Sequence, residues 1–156
     1  TRAVERELAR TRAAAARSSA HANARTVIAR LLQVVERTET GARLAFENSA
    51  PETLPVSDDI LMEMTGPLLE NAARFAAHRV RIGGDAARLV IEDDGPGLSD
   101  GQAAEALERG KRLDERGDGH GLGLAIANDL AAASGAELRL GRSELGGLKV
   151  ELVWAS

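Results

Sequence analysis

Apolar side chains recur at helical spacing in three stretches of the chain and alternate with polar ones in five. From Arg25 to Glu39, Val27, Ile28, Leu31, Leu32, Val34 and Val35 return every three or four positions. That spacing predicts a helix with one apolar face to lay on a sheet, ended by Gly41. A second helix begins at Ser57-Asp58-Asp59 and turns Ile60, Leu61, Met64, Leu68, Leu69, Ala72, Phe75 and Ala76 inward. Gly66-Pro67 lies in its middle, where proline removes a donor and crowds the carbonyl four residues earlier, so a kink or two abutting helices is expected. The third helix runs from Gly121 to Ser134 on Leu122, Leu124, Ala125, Ile126 and Leu130, closed by Gly135. Strands are expected at Ala42 to Glu47, His78 to Ile82, Ala87 to Ile91, Ala136 to Leu140 and Leu148 to Trp154. Gly83-Gly84-Asp85 and Gly146-Gly147 read as the turns of two hairpins.

Two stretches lack a strong period. Thr1 to Arg17, rich in Ala, Arg and Glu with Val4 and Leu8 four apart, should be helical but weakly anchored, with a break from Ser18 to Asn23. Gly97 to Gly121 is long, polar and irregular apart from a short helical piece, Gln102 to Glu108, and connections of that length inside a domain are usually functional lids or disordered. At 156 residues there is room for one domain with a proper core and a short appended element. The absence of cysteine excludes disulfides and thiolate metal sites. A net charge of -4 with 2% aromatic residues gives nucleic acid neither a basic stripe nor a stacking platform, so no nucleic-acid partner is expected. No run of about 18 apolar residues indicates a membrane span.

Chemistry concentrates at three points. Asn71, Arg74 and Phe75 share a helical face, bringing together an amide, a cation and a ring. Asp93 follows a buried strand and precedes Gly95 and Gly97, where missing side chains leave the backbone open to a ligand. Gly117, Gly119, Gly121 and Gly123 alternate into the start of the last helix, whose first amides can receive an anion. Each has a plainer reading: a polar residue at a helix kink, an Asp-Gly and Pro-Gly turn, a flexible loop. Their order along the chain favours a nucleotide, which needs a stacking surface and acceptor for its base and a metal ligand, cation and glycine backbone for its phosphates. The glycines fit neither a Walker loop, which needs a lysine after its final glycine, nor the G-x-G-x-x-G turn.

These three motifs resemble those of the ATP-binding domain shared by sensor histidine kinases and the gyrase, Hsp90 and MutL ATPases, and most closely the histidine kinases. They stand as Leu68-Leu69-Glu70-Asn71-Ala72-Ala73-Arg74-Phe75-Ala76, Glu92-Asp93-Asp94-Gly95-Pro96-Gly97-Leu98, and Gly117-Asp118-Gly119-His120-Gly121-Leu122-Gly123-Leu124-Ala125. Glu108-Arg109-Gly110-Lys111-Arg112-Leu113-Asp114, in place of a Phe-rich lid motif, makes the chain look most like PhoQ-type sensors. The resemblance implies a two-layer α/β sandwich, the Bergerat fold, with a mixed sheet on three helices and a mobile ATP lid at about residues 98–120. Residues 21–156 would form the catalytic domain, and residues 1–20 the remnant of a dimerisation helix.

The same resemblance implies ATP and Mg²⁺ as cofactors. Asn71 would ligate the Mg²⁺ that bridges the phosphates, and Arg74 would stand where the family often has a phosphate-contacting lysine. Phe75 would lie against adenine, whose exocyclic amine Asp93 would bind directly or through ordered water, while Asp94 caps the turn. Gly95, Gly97 and Leu98 would carry the chain out into the lid. Gly119, Gly121, Leu122, Gly123 and Leu124 would cover the phosphates, with Arg112 and His120 as the nearest lid side chains. Pro67 departs from the pattern, because many kinases carry a second asparagine there. None of His21, His78 and His120 has the acidic residue and later proline of a phosphorylated histidine.

The function so implied is transfer of the ATP γ-phosphate to a histidine on the parent's dimerisation domain, then to a response regulator. The parent would be a homodimeric inner-membrane sensor with this domain in the cytoplasm. The fragment itself, able to stay monomeric, would bind ATP without phosphorylating itself. Three rivals remain. A gyrase- or MutL-like ATPase would need a glutamate where Pro67 stands. An anti-sigma-factor-type serine kinase would have no use for the first helix. A nucleotide-responsive interaction module would read Pro67 as a mark of lost activity.

Overall fold

A computed structural model describes residue 6 and residues 21–108 and 121–155. Five strands form one mixed sheet in the order β2, β4, β5, β7, β6: β2 is Ala45–Asn48, β4 Arg79–Asp85, β5 Arg88–Asp93, β6 Ala136–Arg142 and β7 Leu148–Trp154. Only the β2–β4 pair is parallel; the others are antiparallel, with Ile91 opposite Ile82 on one side and Val150 on the other. A two-strand ribbon, β1 at Ala22–Asn23 and β3 at Thr53–Leu54, lies apart from this sheet. Three helices carry the core on one face of the main sheet: α1 at Ala24–Glu36, α3 at Asp58–Phe75 and α5 at Gly121–Ala133. Shorter helices occupy Glu39–Ala42 (α2) and Asp100–Glu108 (α4). The two-layer arrangement is the one the motifs imply.

Strand alternation makes the two layers. Leu89 and Ile91 of β5, with Leu148, Val150, Leu152 and Trp154 of β7, join Ile28, Leu61, Leu68 and Leu124 of the helices in one buried cluster. The opposite face of the sheet carries charged pairs, Arg88 with Glu151 and Arg81 with Glu92. Helix α3 lies between α1 and α5 and touches both. Its start is capped by Ser57 Oγ, which accepts from Ile60 N at 3.3 Å, and Asp58 and Asp59 complement the dipole of its first turn.

Local structure differs from the sequence expectations at four places. Helix α3 is a single element with Pro67 inside it, rather than two abutting ones. Buried side chains on both flanks, Met64, Leu68 and Leu69 among them, hold it together where local propensity alone would divide it. Helix α1 ends at Glu36 instead of Glu39, because Thr38 caps a new turn: its Oγ1 accepts from Gly41 N at 3.0 Å and donates to Val35 O at 2.6 Å. Strand β4 runs through Gly83-Gly84-Asp85, so the hairpin turns at Ala86-Ala87. Gly84 absorbs the geometry with φ +137°, and Asp85 Oδ1 accepts from Ala87 N. Strand β5 continues through Glu92 and Asp93, so both acids belong to the sheet and are buried.

Candidate functional site

The base of the site is the junction of α3 with the end of β5. Asp94 accepts from Ala77 N and His78 N at 2.9 Å and from Arg79 N at 3.1 Å, stitching the exit of α3 to the exit of β5. Burial by itself would raise this carboxyl, but the backbone donors outweigh it and hold Asp94 below the ordinary carboxylate range. The carboxylate thus caps the segment that leaves α3, whereas the sequence suggests a cap for its own turn. The fastening brings the next residue against the helix end, where a Cβ on Gly95 would stand 2.1 Å from Phe75 O. Gly95 is therefore required by packing.

Asp93, 3% exposed, turns to the helix side of the sheet. Its Oδ1 accepts from Gly95 N at 2.9 Å and from Leu148 N at 3.3 Å. Its Oδ2 has no partner among the described residues and remains available to a donor. Burial raises the Asp93 carboxyl above the ordinary range, against those two backbone donors, and the Asp94 charge adds to the rise. Behind it passes Gly147, a residue the sequence reading treated only as a hairpin turn. A Cβ there would meet Asp93 Oδ1 at 2.1 Å, Asp93 O at 2.5 Å and Gly95 N at 2.6 Å. Gly97, in the left-handed region at φ +72°, lies against the same Gly147, and Leu98 packs on the core as the chain leaves. Ser99 and Gln102 then start α4 with reciprocal bonds, Ser99 N to Gln102 Oε1 and Gln102 N to Ser99 Oγ.

A cleft of about 380 Å³ is lined by Pro67, Glu70, Asn71 and Arg74 of α3, Thr38 and Thr40 at the start of α2, and Gly123 of α5. Asn71 is 7% exposed, and its Oδ1 has no hydrogen-bond partner among the described residues. A buried acceptor left unpaired costs about 1–3 kcal/mol, so Asn71 at this position detracts from stability. Arg74 is exposed at the last turn of α3, with its guanidinium carbon 5.6 Å from the centroid of the half-buried Phe75 ring. Gly123 lies in the first turn of α5, whose leading N–H groups have no carbonyl within the helix. A Cβ on Gly123 would stand 3.4 Å from Pro67 Cβ, so the proline serves as the packing surface for α5.

Asn71, Arg74 and Gly123 thus meet in one cleft, and Phe75, Asp93, Gly95 and Gly97 meet at the strand end. The Leu124 side chain is buried in the core, while its N–H belongs to the first turn of α5. Gly121 and Leu122 open α5, while Arg112, Gly119 and His120 lie outside the described residues. Among the described residues no cluster of three His, Asp or Glu side chains could cage a metal. An amide oxygen with no protein partner suits Mg²⁺ held mainly by phosphate and water, so the residues present fit that ion. Among the described residues, no helix is long and apolar enough to cross a membrane.

A family profile described as "Histidine kinase-, DNA gyrase B-, and HSP90-like ATPase" matches residues 57–155. The chain is similar to the sensor protein kinase CarS of Pseudomonas aeruginosa, at 47% identity over 118 residues, which cover 72% of this chain and 26% of that protein. The two-component sensor PhoQ of the same organism is 43% identical over 99 residues, 61% of this chain and 22% of the relative. The chain therefore spans about a quarter of the length of these curated relatives. Among solved structures, the mycobacterial sensor histidine kinase MprB superposes with a TM-score of 0.68 at 26% identity, covering 87% of this chain and 96% of that one.

Proposed function

The chain belongs to the histidine kinase-, DNA gyrase B- and HSP90-like ATPase family, in the form of the ATP-binding catalytic domain of sensor histidine kinases, and from that premise we propose that it donates the γ-phosphate of ATP to a histidine of the parent's dimerisation domain, for relay to a response regulator. The observation that carries the proposal is the buried Asn71 Oδ1, without a partner among the described residues, in a cleft shared with Arg74 and the first turn of α5. It is an oxygen donor, a cation and a helix N-terminus converging on one space, which is the equipment a triphosphate requires.

In this reading Asp93 Oδ2 accepts the exocyclic amine of adenine, and Phe75 lies along the base. Arg74 and the leading amides of α5 neutralise and orient the phosphates. Asn71 Oδ1 would hold Mg²⁺, which would supply charge neutralisation for the triphosphate. The bond to the ADP oxygen breaks as a bond from γ-phosphorus to an imidazole nitrogen forms, and ADP leaves. The domain's contribution is positioning and electrostatics, since phosphoryl transfer asks little covalent chemistry of the protein. Residues 1–20 are assigned in the same proposal to the end of the dimerisation helix. Arg6, the one described residue among them, donates from Nε to Asp129 Oδ2 of α5 at 2.7 Å. The parent is proposed as a homodimeric membrane sensor with this domain on the cytoplasmic side.

The test mixes this domain with the parent's histidine-bearing dimerisation domain, γ-labelled ATP and Mg²⁺. Acid-labile label on the histidine is the expected result, with none on this domain alone. ATP bound without transfer would sink the kinase assignment and favour a nucleotide-responsive interaction module.

A further inference from the structure

Strand β5 ends in two buried acids that face opposite sides of the sheet, Glu92 at 8% and Asp93 at 3% exposure. Glu92, on the side away from the helices, accepts from Arg81 Nη2 at 2.9 Å and from Ser143 Oγ at 2.8 Å. Ser143 is 4% exposed and lies 51 residues further along the chain, at the start of the β6–β7 turn. Its hydroxyl oxygen also accepts from Leu145 N at 2.9 Å. Its own N–H donates to Gly147 O at 2.8 Å, and its carbonyl accepts from Gly146 N at 3.0 Å. The turn is therefore a closed, internally bonded unit. Its far end holds the other acid: Gly147 N donates to Asp93 O at 3.1 Å, and Leu148 N donates to Asp93 Oδ1 at 3.3 Å. One turn is fastened to both faces of the same strand end.

We propose that Ser143, anchored by Glu92, is a positioning residue that sets the orientation of the Asp93 carboxylate and through it the selectivity of the site for adenine. The inference rests on the reading of Asp93 as the group that binds the adenine amine. The Leu148 N to Asp93 Oδ1 bond is at the long end of the hydrogen-bond range, so a shift of a few tenths of an ångström in the turn breaks it. With that donor lost, Gly95 N alone orients the carboxylate, and Oδ2 no longer has a fixed direction. The cleft proposed for the phosphates is lined by residues of α1, α2, α3 and α5 and the Thr38 cap, none of them from this turn. Loss of the Ser143 hydroxyl should therefore blunt base discrimination while leaving phosphate binding intact, which a purely structural serine would not do.

The experiment measures dissociation constants of the whole domain for ATP and for inosine triphosphate, whose base carries an oxygen where adenine has its amine. Wild type is expected to prefer ATP. Ser143→Ala is expected to narrow that preference about fivefold, by weakening ATP alone, and Ser143→Thr, which keeps the hydroxyl, to restore it. An equal loss for both nucleotides in Ser143→Ala, or an unchanged preference, overturns the positioning role. Asp93→Ala separates the two ideas. A preserved ATP preference in that variant overturns the adenine reading itself, and the positioning role with it. A preference lost in Asp93→Ala but kept in Ser143→Ala overturns the positioning role alone.

Discussion

The two ends of the site are prepared in opposite ways. At the end of β5 nearly everything is satisfied: Asp94 is bonded to three successive backbone amides, Asp93 Oδ1 to two, and Gly95 and Gly147 close around them with no room for a methyl group. At the cleft, Asn71 Oδ1 is buried without a partner among the described residues and Arg74 is exposed. The first end is organised by the protein's own groups, while the second, in the proposed function, is completed by the nucleotide. Neighbouring acids show the difference on a smaller scale. Asp94 is lowered and supports the fold, whereas Asp93 is raised by burial and, as an anion, opposes folding above its unfolded-state pKa. Under the proposed function, the preorganised strand end would receive the base and the incomplete cleft the phosphates, an arrangement suited to recognising one nucleotide and releasing its product.

Four substitutions should break or sharpen that contrast. Gly147→Ala attacks the preorganised end where a Cβ has no space. It should lower ATP affinity about a hundredfold, since it displaces a charge-assisted hydrogen bond and overpacks the turn, and calorimetric titration with a parallel thermal melt would measure both effects. Asp94→Ala should cost about 2 kcal/mol of stability at pH 7 by releasing the amides of Ala77, His78 and Arg79. Because the Asp94 folded-state pKa lies below its unfolded value near 3.9, its stabilisation is complete above that value and is lost as pH falls through the folded one. Urea melts at pH 7, 4 and 3 should show the gap between wild type and variant closing.

The unfinished end should respond in the opposite sense. Asn71→Leu removes the orphaned oxygen, so the ligand-free domain should gain about 1 kcal/mol while its affinity for ATP with Mg²⁺ falls about tenfold; denaturant melts with and without nucleotide read both. Arg74→Ala, at an exposed position, should weaken ATP only about threefold, with a loss that shrinks as salt is raised.

Much of this was legible in the chain. Asn71, Arg74 and Phe75 at helical spacing, Asp93 before its glycines, and Gly121 opening α5 all stand where their local patterns place them, because helix and strand periods are local properties. Gly147 was not legible. It lies 54 positions from Asp93, looks like any hairpin glycine, and acquires its meaning only when β7 pairs with β5. Ser143 and Glu92 were hidden for the same reason. At Pro67 the choice between a kink and two abutting helices was not legible, because proline's local cost is visible in sequence while the burial that keeps one helix and the contact with Gly123 are tertiary. The hairpin turn was placed on Gly83-Gly84-Asp85 when the register sets it at Ala86-Ala87.

The most direct test of the account is a calorimetric titration of the domain with ATP and Mg²⁺, comparing wild type with Asp93→Ala and Asn71→Ala. One saturable site in wild type, weakened at least tenfold in each variant while both remain folded, is the predicted result. Wild-type affinity in either variant would contradict the claim that these two ends hold a single nucleotide.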